Sequence, residues 1–355
     1  MALLPPINLF DAHTHIGVND PDTFKGTAQQ LLAILEPTRS RAVAFAMHEP
    51  DGYPPANDQV LAAADASEGR LVAFARVDPR SDPVAEIRRC AAAGARGVKL
   101  HPRAEGFEMN APGVREIVVE AHELRLPILI HAGRGIPALG RHVLEYATEF
   151  PRARFILAHA GVSDLAWIWQ RVDEHSNVFF DTAWWSMPDL LALFAHVAPS
   201  QILYATDIPF GAPAQATVLV FRSALQAGLD ADQLRSVAGA QLERLVAADD
   251  ALDVGPAPGP QGLRVDPMLA RVSYYLVSAI ATAIAGASTF EFIDLARLAC
   301  DIGDDRPQAQ HCSSILSLLE LARRLPLGEN LTDRFAHIHV LVTAAALSST
   351  PDVPV

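Results

Sequence analysis

The chain has 355 residues, half of them apolar and 19% charged, with a formal net charge of −13 at pH 7. That length accommodates a (β/α)8 barrel plus an appended module, and so apolar a composition buries a large core and excludes disorder. With 28 Lys and Arg against 41 Asp and Glu there is no basic field for a polyanion, which excludes nucleic acid as a partner.

The opening MALLPPINLFDAH lacks a basic stretch ahead of an apolar one, so no secretory leader is expected. Cys90, Cys300 and Cys312 show no CxxC spacing, fit reduced thiols and point to a cytoplasmic location. Eight β-rich runs then alternate with helical patterns: Asn8–Ile16, Ala42–His48, Leu71–Val77, Gly97–His101, Ile128–His131, Phe155–His159, Val178–Thr182 and Ile202–Asp207. The intervening helices are predicted over stretches such as Thr27–Leu35, Val84–Ala93, Val114–Leu124, Gly140–Phe150 and Met187–Ala198. Strands this apolar are covered on both faces, as in a parallel α/β sheet. The count alone allows an open doubly wound sheet or a closed TIM barrel. The polar residues favour the barrel: His13, His15, Lys99, His101, His131, His159, Asp181 and Asp207 all fall at or near C-terminal strand ends, which in a barrel converge on one mouth.

The pattern stops near Ala248, after an amphipathic stretch Asp232–Val246. A Pro/Gly-rich linker, Gly255–Pro260, follows, and Pro267–Leu347 reads as helices over Met268–Ala285, Phe290–Cys300, Ser313–Leu325 and Asp333–Leu347. The expected organisation is a barrel over 1–250, a linker over 251–266 and an all-helical domain over 267–355. The uncharged run Val272–Phe290 is long enough for a membrane span, but its Ser, Thr, Gly and paired Tyr residues point to a buried helix, with no membrane partner. A homodimer contact is one role open to this segment, besides a lid over the barrel mouth or a surface for another protein.

Asp11-Ala-His-Thr-His15 carries the strongest local signal. Residues i and i+2 of a strand share a face, so both imidazoles can grip one ion; the bland alternative is two core histidines with hydrogen-bonded rings. Asp11 precedes them on the same face and reads as an orienting group. His131, His159 and Asp207 add imidazoles and a carboxylate, a donor set suited to catalytic zinc, with manganese or iron able to occupy it. Only Lys25 and Lys99 are lysine among the 28 basic residues, which suggests that Lys99 is there for its amine. His101, Arg103 and Arg134 are candidates for binding an anionic substrate group, Trp184 and Trp185 for an apolar wall, and His48 and Arg76 for the same mouth. His311, His337 and His339 lack strand-end placement and read as structural.

DAHTH, GVKLHP at Gly97–Pro102, ILIHAG at Ile128–Gly133, LAHAG at Leu157–Gly161 and YATDIPFG at Tyr204–Gly211 together resemble the amidohydrolase superfamily, in its amidohydrolase-related branch, over roughly the first 248 residues. The resemblance implies a TIM barrel with His13, His15, His131 and Asp207 as metal ligands and His159 as an acid/base or second-metal residue. It implies either hydrolysis of a small amide, lactone or ester by metal-activated water, with Asp207 taking the proton, or non-oxidative decarboxylation of an aromatic or unsaturated acid. Hydrolysis is the leading expectation, and one ion the expected stoichiometry. In binuclear relatives a carboxylated lysine at this strand bridges two metals, so Lys99 and His159 would hold the second ion. Otherwise Lys99 is an ammonium that binds a substrate carboxylate, or a buried partner of Asp181 or Asp207. The GxNAxRL-like motif of the last barrel helix departs here, with Gln241 where Asn is common, and the helices beyond Asp266 lie outside the family pattern.

Overall fold

The computed structural model describes residues 7–21 and 23–355, so the first six residues of the stretch read above for a leader lie outside it. Nine parallel strand segments form in chain order: β1 (Phe10–Ile16), β2 (Arg41–Ala46), β3 (Leu71–Ala73), β4 (Ala75–Arg76), β5 (Val98–Leu100), β6 (Pro127–Ile130), β7 (Arg154–Leu157), β8 (Val178–Asp181) and β9 (Ile202–Leu203). They make two sheets, β1-β2-β3 and β4 through β9 in sequence order. This is an α/β fold with parallel sheets, consistent with a TIM barrel.

The predicted third strand is divided at Phe74 because its halves serve different neighbours. The N–H of Phe74 donates to Ala44 O of β2, while Ala73 O accepts from Arg96 and the N–H of Ala75 donates to Gly97 O. The predicted last strand is shortened to Ile202–Leu203, yet its continuation lies along β1. Ala12 N donates to Tyr204 O (2.9 Å), Asp207 N to His13 O (2.9 Å) and His15 N to Ile208 O (2.8 Å).

The chain divides into two compact units. One comprises Met1–Trp184, His196–Phe210 and Asp230–Ala257, the other Trp185–Ala195, Gly211–Leu229 and Pro258–Val355. In the first unit, alternate strand residues form two layers. Val43, Phe45, Leu129, Ile156, Phe179 and Leu203 pack with Phe10 and Ala12 on one face. On the other, Ala42, Ala44, Ala46 and Ile16 pack under Leu31, Leu35 and Val60 of the helices Ala28–Leu35 and Pro54–Ala66. Prolines open many of the helices, where the missing N–H costs nothing and the fixed φ suits a first turn. The amphipathic stretch Asp232–Val246 is not one continuous α-helix: Ala231–Arg235 passes through a wide turn, Ser236–Ala240, into Gln241–Val246. The turn brings Gly239 against β1, where a Cβ would lie 2.8 Å from that of Phe10. Gln241, the departure from the motif, is buried and bonds both ways, its amide donating to Ser200 O and its carbonyl accepting from Leu252 N.

In the second unit the helix Pro267–Ile284 buries Leu269, Val272, Leu276, Ala279 and Ala283, a one-sided stripe at helical spacing. These pack against Ile293, Ile315, Leu319 and Leu341 of the following helices. By length and composition alone this helix is apolar enough to cross a membrane. The expectation of a buried helix is corrected in part: only one face is covered, and Tyr274 and Val277 on the other are 69% and 51% exposed.

Candidate metal centre

Strand parity decides which side chains reach the centre. The inner-layer face of β6, β8 and the segment after β9 continues two residues on from Leu129 to His131, from Phe179 to Asp181, and from Leu203 and Ala205 to Asp207. Phe10 and Ala12 of β1 are on that layer, so unbroken alternation would turn His13 and His15 outward. Between Asp11, opposite Ala42, and Thr14, opposite Ala44, β1 has one residue more than β2. This bulge returns both imidazoles to the inner face. It also corrects the reading of Asp11, which pairs with outward-facing Ala42 and does not share the histidines' face. Its carboxylate accepts from His13 N, Thr206 N and the Thr206 hydroxyl, tying β1 to the chain beside Asp207. After β7 the break is in the backbone: His159 (φ 57°) and Ala160 (φ 57°) are left-handed, as is Asp207 (φ 63°). Such conformations in non-glycine residues cost energy and cluster at functional sites.

The side chains so placed converge. Nε2 of His13 lies 3.2 Å from Nε2 of His15 and 3.2 Å from Oδ1 of Asp207, and the His15 and Asp207 atoms are 3.0 Å apart. Asp181 Oδ2 accepts from His13 Nδ1 at 2.7 Å, which puts the proton on Nδ1 and leaves a lone pair on Nε2 facing the carboxylate. The other Asp181 oxygen accepts from the N–H groups of His159 and Ala183. His159 donates Nδ1–H to Ala183 O (2.7 Å), so its Nε2 is the acceptor for His131 Nδ1 at 2.9 Å. Nε2 of His131 is then an unprotonated, buried atom without a partner. Gly133 makes room for it, since a Cβ there would come within 2.5 Å. The ligand atoms of His13, His159 and Asp207 lie within 4.8 Å of one another, a group able to hold a metal ion. Tetrahedral donors about 2.0 Å from an ion are about 3.3 Å apart, close to the spacings of His13, His15 and Asp207. These residues fit a divalent ion.

Burial sets the protonation states. It holds His13, His15, His101 and His131 well below the usual imidazole range and lowers His159 as well, so all are kept in the neutral form that ligates metal. Burial also raises Asp181, Asp207 and Asp11, the last to about 7. Lys99 is fully buried, and burial followed by the charge of Arg76 brings its amine down to about 7. Its Nζ lies 3.5 Å from His13 Nε2 and 4.6 Å over the Phe45 ring. It therefore meets an imidazole rather than Asp181 or Asp207, and Asp181 is taken up by His13.

The other candidates divide. His101 stacks on His131, with ring centroids 3.8 Å apart, and its Nδ1 caps the helix Pro102–Glu105 by accepting from Ala104 N. Trp184 stands between His159, 6.4 Å away ring to ring, and the guanidinium of Arg134, 5.9 Å from its centroid. Arg103 is exposed and helps to disfavour protonation of His131. Arg76 is buried and donates to Glu105 at 2.6 Å. In the second unit Trp185 packs on Phe335 and His339, while His311 and His337 bond to backbone carbonyls. The orienting role of Asp181 escaped the sequence reading. Its strand-end position was visible, but its partner, 168 residues away, was not.

Strand-end imidazoles and carboxylates brought within a few ångströms of one another form a candidate metal centre on a parallel α/β scaffold. The chain belongs to the amidohydrolase family, whose sequence profile matches residues 10–240. It is an enzyme of the amidohydrolase-related superfamily. No curated protein sequence matches it. Among solved structures it is similar to 2,6-dihydroxybenzoate decarboxylase from Rhizobium, at 16% identity over 69% of this chain and 100% of that one, with a TM-score of 0.54. A probable 2-pyrone-4,6-dicarboxylic acid hydrolase from Acinetobacter baumannii is similar at 15% identity, over 68% and 100% of the two chains, with a TM-score of 0.52. A dihydroxybenzoic acid decarboxylase from Polaromonas with bound manganese gives 14% identity, 68% and 97% coverage and a TM-score of 0.55. At these identities the likeness concerns the fold.

Proposed function

We propose that the protein is a metal-dependent hydrolase of a small amide, lactone or ester, working at the mouth of a closed (β/α)8 barrel that occupies roughly residues 1–250, with an all-α domain over 267–355. The observation that carries the reading is the triangle of His13 Nε2, His15 Nε2 and Asp207 Oδ1, with edges of 3.0–3.2 Å. In this reading these three and His131 hold one divalent ion, zinc by donor chemistry and manganese or iron as the alternatives. When bound, such an ion lowers the pKa of water toward 7 and polarises a carbonyl.

The chain's own groups supply the rest. Asp207 has a second carboxylate oxygen with which to accept a proton from water. His159, with Nδ1–H committed to Ala183 O, has the Nε2 lone pair with which to take up that proton and pass it to the leaving group. Asp181 keeps the His13 lone pair aimed inward. Trp184 screens one side from water, and Arg134 beside it, with Arg103 and His101, receives an anionic substrate group. The substrate is a small molecule handled in the cytoplasm.

A second reading, non-oxidative decarboxylation, is favoured by Lys99, whose buried amine meets His13 without being consumed by Asp181. There Lys99 anchors the departing carboxylate and His159 protonates carbon. The activities of the decarboxylases to which the fold is similar support it.

Metal analysis on protein purified without chelator, with intact mass in bicarbonate buffer, tests the site. One divalent ion per chain, lost in His13→Ala, is expected, with no mass increase at Lys99. Turnover of a panel of lactones, esters and amides without carbon dioxide release supports hydrolysis, whereas carbon dioxide release from aromatic acids selects the second reading. No bound metal after supplementation refutes both.

A further inference from the structure

A cavity of about 480 Å3 lies in the first unit at the C-terminal ends of β2, β4 and β5. Its size is that of a small-molecule site. The loop after β2 contributes His48, Glu49, Asp51 and Tyr53, Asp78 follows β4, and Glu105 comes from the helix after β5.

Glu105 is 7% exposed, and its pairing is lopsided. Oε1 accepts both from the Tyr53 hydroxyl and from Arg76 Nη2, whereas Oε2 is buried with no donor among the described residues. A carboxylate oxygen left so is rare in a native interior, where acceptors of this strength find partners. Nδ1 of His48, on the same cavity, is also buried without a partner. The charge of the lining points one way. Asp78 is neutralised by a two-pronged bond from Arg80, but Glu49 accepts a neutral amide bond from Asn19, and Asp51 is exposed at the rim. An anion would be repelled here. A neutral hydroxyl would satisfy Oε2 but leave the rim charge unused.

We infer that this cavity binds an alkylammonium or guanidinium group, with Glu105 Oε2 as the acceptor and Glu49 and Asp51 drawing the cation to the mouth.

Calorimetric titration of the full chain with n-butylammonium and n-butylguanidinium, against n-butanol and n-butyrate at fixed ionic strength, tests it. Saturable binding of both cations is expected, at least tenfold tighter than butanol and undiminished by butyrate. Glu105→Gln is expected to weaken the cations at least tenfold. Because Glu105 also neutralises buried Arg76, the rim variant Asp51→Asn serves as an arm that spares the core, with a few-fold loss and a shallower salt dependence. Butanol binding as tightly as butylammonium, or both variants binding like the parent, overturns the proposal. The titration is repeated on His13→Ala. Retained cation binding there keeps the proposal even if the metal reading fails, and its disappearance would move the cation into the metal centre and overturn it.

Discussion

Replacing Asp181 with asparagine is expected to weaken metal binding without touching a ligand. The parent carboxylate accepts with both oxygens, one taking His13 Nδ1–H at 2.7 Å and the other the N–H groups of His159 and Ala183 at 2.9 and 3.0 Å. An asparagine has one acceptor oxygen. The two backbone donors are fixed, so the oxygen stays with them and the new NH2 group faces His13 Nδ1. Two donors cannot meet there, and the imidazole shifts its proton to Nε2, the atom 3.2 Å from both His15 and Asp207. Loss of an outer hydrogen bond of this kind typically costs 10–100-fold in metal affinity, about 1.4–2.7 kcal/mol. Competition for zinc against a chromophoric chelator measures it, with circular dichroism and thermal melting as controls for the fold. A well-folded Asp181→Asn protein binding zinc within about threefold of the parent would refute the tautomer argument, since RT sets that ratio below 1 kcal/mol.

Three further outcomes are expected. Gly133→Ala drives a methyl to within 2.5 Å of His131 Nε2, so melting should fall by about 1–3 kcal/mol of stability and metal affinity should drop with it. Asp266 caps the helix Pro267–Ile284 through Met268 N and Leu269 N, and Asp266→Ala should cost about 0.5–2 kcal/mol in urea unfolding. His337 is buried between Thr289 Oγ1 and Ala322 O, and burial lowers its pKa. The unfolded chain then takes up a proton near pH 6.5 that the folded chain refuses, so this contribution is present above that pH and is lost as pH falls through and below it. The other buried neutral imidazoles act in the same direction. His337→Gln should therefore shallow, but not abolish, the loss of stability between pH 7.5 and 5.5, and an unchanged slope would count against the assignment.

Strand-end chemistry was legible because it is written in local periodicity. A strand carries its polar residue at one end and a loop former next, and this marks His131, His159 and Asp207 without knowledge of any contact. Parity was less legible. A residue pair such as His13 and His15 shares a face under any alternation, but which face depended on a bulge that exists only in the pairing of β1 with β2, and the same bulge put Asp11 on the other side. His159 likewise reaches the centre through a left-handed backbone that no residue type at that position announces.

By itself, then, the sequence determined the order of strands and helices and the family, since hydrophobic period and motif chemistry are properties of short stretches. Tertiary structure alone decided that Asp181 fixes the tautomer of His13, that Lys99 meets an imidazole and not a carboxylate, and that Glu105 keeps one oxygen free beside Arg76. Each of those facts is a distance between residues dozens to more than a hundred positions apart, and chain closure rather than local preference sets such distances.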